Sequence, residues 1–152
     1  MMDYYEYDAN VKAMEGAEDL FFFLQERGVR VALNTGFSKD IASVIVSRFQ
    51  WIERGLVDEF IGSDEVPEGR PFPYMIDELK SRLGISEEDT VLKVGDTVVD
   101  VLEGKNAGCK FIISVTTGSA SREVLELWQP THIVNSLSEI PAILTKAFSI
   151  YA

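Results

Sequence analysis

Thr90-Val91-Leu92-Lys93-Val94-Gly95-Asp96-Thr97-Val98-Val99-Asp100 is the stretch on which the reading of this chain turns. A β-prone, largely apolar run ends at a glycine and passes at once into polar residues and a helix-compatible segment, the pattern of a strand that turns directly into a helix. The pattern predicts a strand over 90–95 and a helix over 97–106. Asp96 then stands at the carboxyl end of the strand, and Asp100 lies four residues on, on the same face of the first helical turn. Two carboxylates so placed can hold Mg²⁺ directly or through water and leave positions for phosphate oxygens. They serve equally well as a helix N-cap and a favourable first-turn charge.

Outward from this stretch the same rhythm repeats in both directions. Upstream, Met14, Ala17, Leu20, Phe21 and Leu24 recur at helical spacing over 11–27, with Gly28 as C-cap. A β-rich run over 29–34 follows, then a helix from the N-cap Ser38 through Phe49, a short strand over 59–62, and a helix over 74–83 with Met75, Ile76, Leu79 and Leu83 along one face. Downstream come a strand over 110–115, a short helix over 121–128, a short strand over 131–134 and a last helix over 137–148, with Pro141 in its first turn. Strands separated by helices imply βαβ units and a parallel sheet covered on both faces, an α/β three-layer, Rossmann-like architecture. Sites in such sheets lie at the carboxyl ends of the strands. No repeat or low-complexity tract divides the chain, so residues 1–152 read as a single domain.

The composition narrows the function classes. With 14 Lys plus Arg against 25 Asp plus Glu, the net charge of −11 has the wrong sign for gripping nucleic acid or anionic lipid by bulk charge. Any phosphate chemistry must be local. No apolar run approaches the ~20 residues that span a bilayer, and the first residues lack the basic and apolar regions of a secretion signal, so a cytoplasmic protein is expected. One cysteine, Cys109, and one histidine, His132, leave no Cys/His zinc site, so a bound metal would be a hard ion with oxygen ligands. His132 and Cys109 are read as structural.

Two more strand ends carry candidate chemistry. In Asn34-Thr35-Gly36-Phe37-Ser38 a hydroxyl, a glycine amide and a helix N-terminus converge, an arrangement suited to phosphate and equally to an ordinary turn and cap. In the loop after the second strand, Arg70 is the one cation, held between Gly69 and Pro71. Its forked donors suit phosphate or carboxylate oxygens, and the alternative is a solvated pair with Glu68.

Taken together, Thr35, the run Gly69-Arg70-Pro71-Phe72-Pro73 and the run Gly95-Asp96 followed by Asp100 resemble, in order and spacing, three motifs of the haloacid dehalogenase (HAD) superfamily. Lys93-Val94-Gly95-Asp96-Thr97 and Glu103-Gly104-Lys105-Asn106-Ala107-Gly108 look like its phosphonatase-like (phosphonoacetaldehyde hydrolase-like) branch. The resemblance extends from about Val11 to the end, including Thr116-Thr117-Gly118-Ser119. It implies Mg²⁺-dependent hydrolysis of a small phosphate or phosphonate substrate. Thr35 and Gly36 would meet the phosphoryl oxygens, Arg70 would stabilise charge on nucleophile and phosphate, Asp96 would ligate Mg²⁺, and Asp100 would support that ion. Such electrostatic roles suit phosphoryl transfer.

The resemblance also predicts a gap. The family's nucleophilic aspartate ends a central strand lying between those that bear Thr35 and Asp96, and no carboxylate before Thr35 follows a strand-like apolar run. The expectation is therefore a HAD core without its nucleophile strand and most of the cap, with 1–10 as remnant of the cap-to-core linker. Three arrangements could fill the gap: direct pairing of the flanking strands, insertion of the N-terminal aromatic segment, or pairing across a homodimer. Closure or dimerisation is expected. The function is then either HAD-type hydrolysis or, alternatively, an inactive truncated core that binds phosphate and Mg²⁺ or serves as an interaction module. A receiver or nucleotide-binding domain lacks its acidic pair or glycine-rich loop.

Overall fold

The computed structural model describes residues 16–86, 90–118 and 120–148. Helix α1 (Ala17–Glu26) turns its buried Ala17, Leu20, Phe21 and Leu24 inward. It ends where the Gly28 amide donates back to Gln25 O, with Gly28 at φ 75°, a conformation that favours glycine. The expected start of this helix, including Met14, lies outside the described residues. Strand β1 (Ala32–Asn34) is buried throughout, and α2 (Lys39–Phe49) begins at Ser38, whose Oγ accepts the Ile41 amide at 3.4 Å. Next come β2 (Glu59–Ile61), a 3-10 turn at Ser63–Glu65, and α3 (Tyr74–Leu83). The second half runs β3 (Leu92–Gly95), α4 (Val98–Asn106), β4 (Phe111–Val115), α5 (Arg122–Leu127) and β5 (His132–Val134). The last expected helix divides into a 3-10 turn at Leu137–Glu139 and α6 (Ile140–Phe148), with Pro141 in the first turn of α6.

Every described strand pair is parallel, as the alternation predicts. β1 pairs with β2 in the register Leu33 to Phe60, and β4 lies between β3 and β5, with Val94 opposite Ile113 and Ser114 opposite Ile133. Successive side chains on a strand face opposite layers. Leu33, Val94, Ile113, Val115 and Val134 join one apolar cluster with α1, α2 and α6. On the other face, Ala32 and Ile61 pack with Met75 and Leu79 of α3, and Ile112 packs with Val101 of α4 and Leu125 of α5. The larger cluster draws on both sheets, so its apolar burial holds them together. Within it Trp51 is fully buried, edge-on to Phe21 with ring centroids 5.4 Å apart and stacked on Phe49 at 4.8 Å.

The expectation of direct closure is corrected. Among the described residues the strands form two sheets, β1-β2 and β3-β4-β5, and no ladder joins β1 to β3. Two things stand between them. Toward the strands' amino ends there is a cavity of about 350 Å³, lined by Leu24, Val31, Leu79, Leu83, Val91 and Val94 among others. Further along, Asn34 at the carboxyl end of β1 meets Lys93 in the middle of β3 through side chains, with a bond of 3.0 Å between Lys93 Nζ and Asn34 Oδ1. The N-terminal aromatic segment lies outside the described residues. No helix among the described residues is long and apolar enough to cross a membrane.

Candidate functional site

The end of β3 is built around Asp100. Thr97, not Asp96, is the N-cap of α4: its Oγ accepts the Asp100 amide at 3.3 Å. Asp100 reaches back, and its Oδ2 accepts from the Asp96 amide at 3.0 Å, the Thr97 amide at 3.0 Å and the Thr97 hydroxyl at 2.8 Å. This is a reciprocal capping box with acidic charge at the helix's positive end. Gly95 makes it sterically feasible, because a Cβ there would overlap the Asp100 carboxylate.

The other oxygen of Asp100 faces cations. Oδ1 accepts from Arg70 Nη1 at 2.7 Å and lies 3.5 Å from Lys93 Nζ. Arg70 is therefore no solvated partner of Glu68: its side chain is only 13% exposed and is brought 30 residues along the chain to the end of β3. The loop that carries it is anchored next door, where the Asn106 side chain donates to Pro71 O at 2.7 Å.

Behind Asp100 lies a fully buried ion pair. Lys93 Nζ is 3.0 Å from Glu103 Oε1, and neither side chain has any exposed surface. Glu103 Oε2 accepts from Asn34 Nδ2 at 2.6 Å. Lys93, Glu103 and Asn34 were absent from the sequence-derived site. Their signal was a lysine at an inward-facing position of a strand that must be buried on both faces.

The turn after β1 is more constrained than a simple anion cradle. Thr35 is buried and its Oγ accepts the Phe37 amide at 3.1 Å, so its hydroxyl proton is what remains to donate. Gly36 is exposed, and its carbonyl accepts the Ser63 hydroxyl at 2.8 Å, which ties this turn to the one after β2. The α2 N-terminus already holds an anion of the protein's own, because the Lys39 amide donates to Asp64 Oδ1 at 2.8 Å.

Asp96 follows β3 and is buried, with the turn after β4 pressed against it: a Cβ at Gly118 would overlap its carboxylate. Among the described residues no cluster of three or more acidic, His or Cys side chains is arranged to enclose a metal. The donor set suits an ion held through one protein carboxylate, Asp96, with water and phosphate oxygens completing the shell, a mode usual for Mg²⁺. Asp100 does not fit as a direct ligand, because its oxygens already serve the cap, Arg70 and Lys93.

Of the described carboxylates before Thr35, Glu18 is bound to Trp51 Nε1 at 2.8 Å and to Arg54 at 2.9 Å, while Asp19 and Glu26 are exposed. Asp3, Glu6, Asp8 and Glu15 lie outside the described residues. Cys109 is half-buried against the α4 and α5 cluster, and burial pushes its thiol pKa up, which suits a structural residue. His132 stacks on Phe111 at 5.9 Å.

Asp96, Arg70 and Thr35 thus gather at the carboxyl ends of the strands of a parallel α/β fold, where ligand sites of such folds lie. A family model for haloacid dehalogenase-like hydrolases matches residues 2–108, and the chain belongs to that family. It is 32% identical to a phosphonoacetaldehyde hydrolase of Bacillus cereus (strain B4264) over 114 residues, 74% of this chain and 42% of that one. It is 31% identical to the protein of the same name from Bacillus thuringiensis subsp. konkukian over 124 residues, 79% of this chain and 46% of that one. The chain thus spans less than half the length of these curated relatives. Among solved structures it superposes on a phosphonoacetaldehyde hydrolase-like protein from Oleispira antarctica with TM-score 0.76 and 20% identity, covering 88% of this chain and 56% of that one. A HAD-superfamily hydrolase from Geobacter sulfurreducens gives TM-score 0.68 at 19% identity, with 86% and 60% covered. These structural likenesses support the three-layer, Rossmann-like HAD fold.

Proposed function

We propose that this chain carries the phosphate- and Mg²⁺-handling half of a phosphonatase-like site that hydrolyses a small phosphate or phosphonate (P–C) substrate. The observation that carries the reading is the 2.7 Å contact that sets Arg70 on Asp100 beside Asp96 at the end of β3. A guanidinium held there places a positive charge that offsets charge developing on substrate oxygens. Thr35 donates its hydroxyl proton to a phosphoryl oxygen, and the Gly36 amide extends the same cradle. Asp96 would hold Mg²⁺, which when bound supplies neutralisation of the phosphate charge. Asp100 acts through its neighbours, orienting Arg70 and capping α4.

The second reading, a binding module without turnover, is favoured by one observation. The described carboxylates before Thr35 are committed elsewhere or exposed, and no covalent route runs without a nucleophile. The test is hydrolysis of an aryl phosphate and of phosphonoacetaldehyde, with and without Mg²⁺, by the pure chain and by Asp96→Ala. Mg²⁺-dependent turnover lost in Asp96→Ala supports hydrolysis, and a specific rate that rises with protein concentration would point to a second copy as the source of the missing group. Silence together with Mg²⁺-dependent phosphate binding supports the module. Neither turnover nor binding would overturn both.

A further inference from the structure

Lys93 sits in the middle of β3 with no exposed surface. A buried ammonium is tolerated only when paired, and Lys93 is paired with Glu103 at 3.0 Å, with Asn34 Oδ1 at 3.0 Å and with Asp100 Oδ1 at 3.5 Å. Glu103 in turn holds Asn34 Nδ2 at 2.6 Å. The two ends of the Asn34 amide therefore face opposite charges, which sets its orientation. Asn34 is the last residue of β1, directly before Thr35, and Asp100 holds Arg70 at 2.7 Å. Gly104 leaves the room for this arrangement, since a Cβ there would stand 3.2 Å from the Lys93 Cβ and 2.9 Å from Ile112 Cγ1.

One ion pair thus reaches the Thr35 arm through Asn34 and the Arg70 arm through Asp100, across a seam where, among the described residues, no backbone ladder joins the two sheets. We infer that Lys93 and Glu103 are positioning residues: they touch no substrate and hold Thr35 and Arg70 in one frame. The inference rests on the assignment of Thr35 and Arg70 to phosphate. An apolar pair of similar volume would fill the same space at a smaller desolvation penalty but would supply no directional partners for Asn34 or Asp100. The pair's contribution is therefore geometric.

The test compares wild type with Lys93→Met/Glu103→Leu, a charge-balanced apolar replacement, and with Asn34→Ala, which cuts the Thr35 arm alone. Three readouts are taken: cooperative thermal melting, the ¹⁵N resonance of the Arg70 Nε–Hε group, identified by its loss in Arg70→Lys, and calorimetric titration with inorganic phosphate. The expected result for the double variant is a cooperative melt, an Arg70 resonance shifted toward that of free arginine, and phosphate affinity at least about tenfold weaker, the effect of one misplaced charge-assisted contact. Asn34→Ala is expected to weaken phosphate binding and leave the Arg70 resonance in place. An unchanged Arg70 resonance and unchanged phosphate affinity in a folded double variant would overturn the inference. If the double variant fails to melt cooperatively, Asn34→Ala decides, and wild-type phosphate affinity in it overturns the inference. If wild type binds no phosphate, or Arg70→Lys binds it as wild type does, the site assignment fails, and the Arg70 resonance of the double variant alone judges the positioning role.

Discussion

Asp100→Asn preserves the shape of the side chain at the hub of the site and removes its charge. In the wild type, Oδ2 serves three donors from Asp96 and Thr97 while Oδ1 meets Arg70 at 2.7 Å and Lys93 at 3.5 Å. The single carbonyl oxygen of asparagine is claimed by the three donors, so the new amide group points at Arg70 and Lys93, donor against donor. Removing one partner from a buried ion pair costs about 3–5 kcal/mol. Arg70 is 13% exposed and can turn toward water, and Lys93 keeps Glu103 at 3.0 Å, so the loss falls at the lower end, about 3 kcal/mol. For a chain of this size each kcal/mol moves the melting point by about 2–4 °C, which gives a drop of about 6–12 °C. Thermal melts by circular dichroism measure it, with Thr97→Val as control, since that variant loses mainly the cap, about 1 kcal/mol. Because the pair is buried, the drop should persist at high salt. A melting point for Asp100→Asn equal to that of Thr97→Val would refute the assignment of Asp100 as the buried counter-charge of Arg70 and Lys93.

Three further outcomes are expected. Gly118→Ala drives a methyl group into the Asp96 carboxylate and costs about 1–3 kcal/mol by overpacking; an unchanged urea midpoint would show that the turn after β4 is not packed there. Glu18 is held below its usual range of 4.5 by hydrogen bonds from Arg54 and Trp51. A lowered folded pKa contributes stability above the unfolded value that is lost as pH falls through the folded one. Wild type should therefore melt above Glu18→Gln at neutral pH, with the gap closing on acidification below 4.5; a gap that is constant with pH would contradict this. Burial raises the Cys109 thiol pKa, so alkylation of the native chain by iodoacetamide near neutral pH should be slower than that of the urea-unfolded chain, and equal rates would show the thiol to be open.

Much of the fold can be read from local pattern. Ser38 caps α2 and Gly28 closes α1 because backbone donors and left-handed turns make demands within a few residues. Periodicity places Met75, Ile76 and Leu79 on the buried face of α3 and the alternation of elements implies the parallel pairing. Thr35, Gly36, Arg70, Asp96 and Asp100 stand out as candidates for the same reason, since each lies at a strand end or in a loop with recognisable chemistry. The division of labour between Asp96 and Asp100 is not legible. The four-residue spacing that suggests a metal pair is also the spacing at which a helix's third residue caps its own N-terminus, and only the placement of Arg70 and Lys93 distinguishes the two.

Residue order alone predicts most of the helices and the strand ends and offers candidate chemistry at them, because caps, turns and periodicity act over less than two helical turns. The division of the described strands into two sheets, and the Lys93-Glu103-Asn34 bridge between them, emerge only in three dimensions. Asn34 and Glu103 stand 69 positions apart, and a buried charge reveals its role only when folding brings its counter-charge and acceptors to it, since burial without them is what water would oppose.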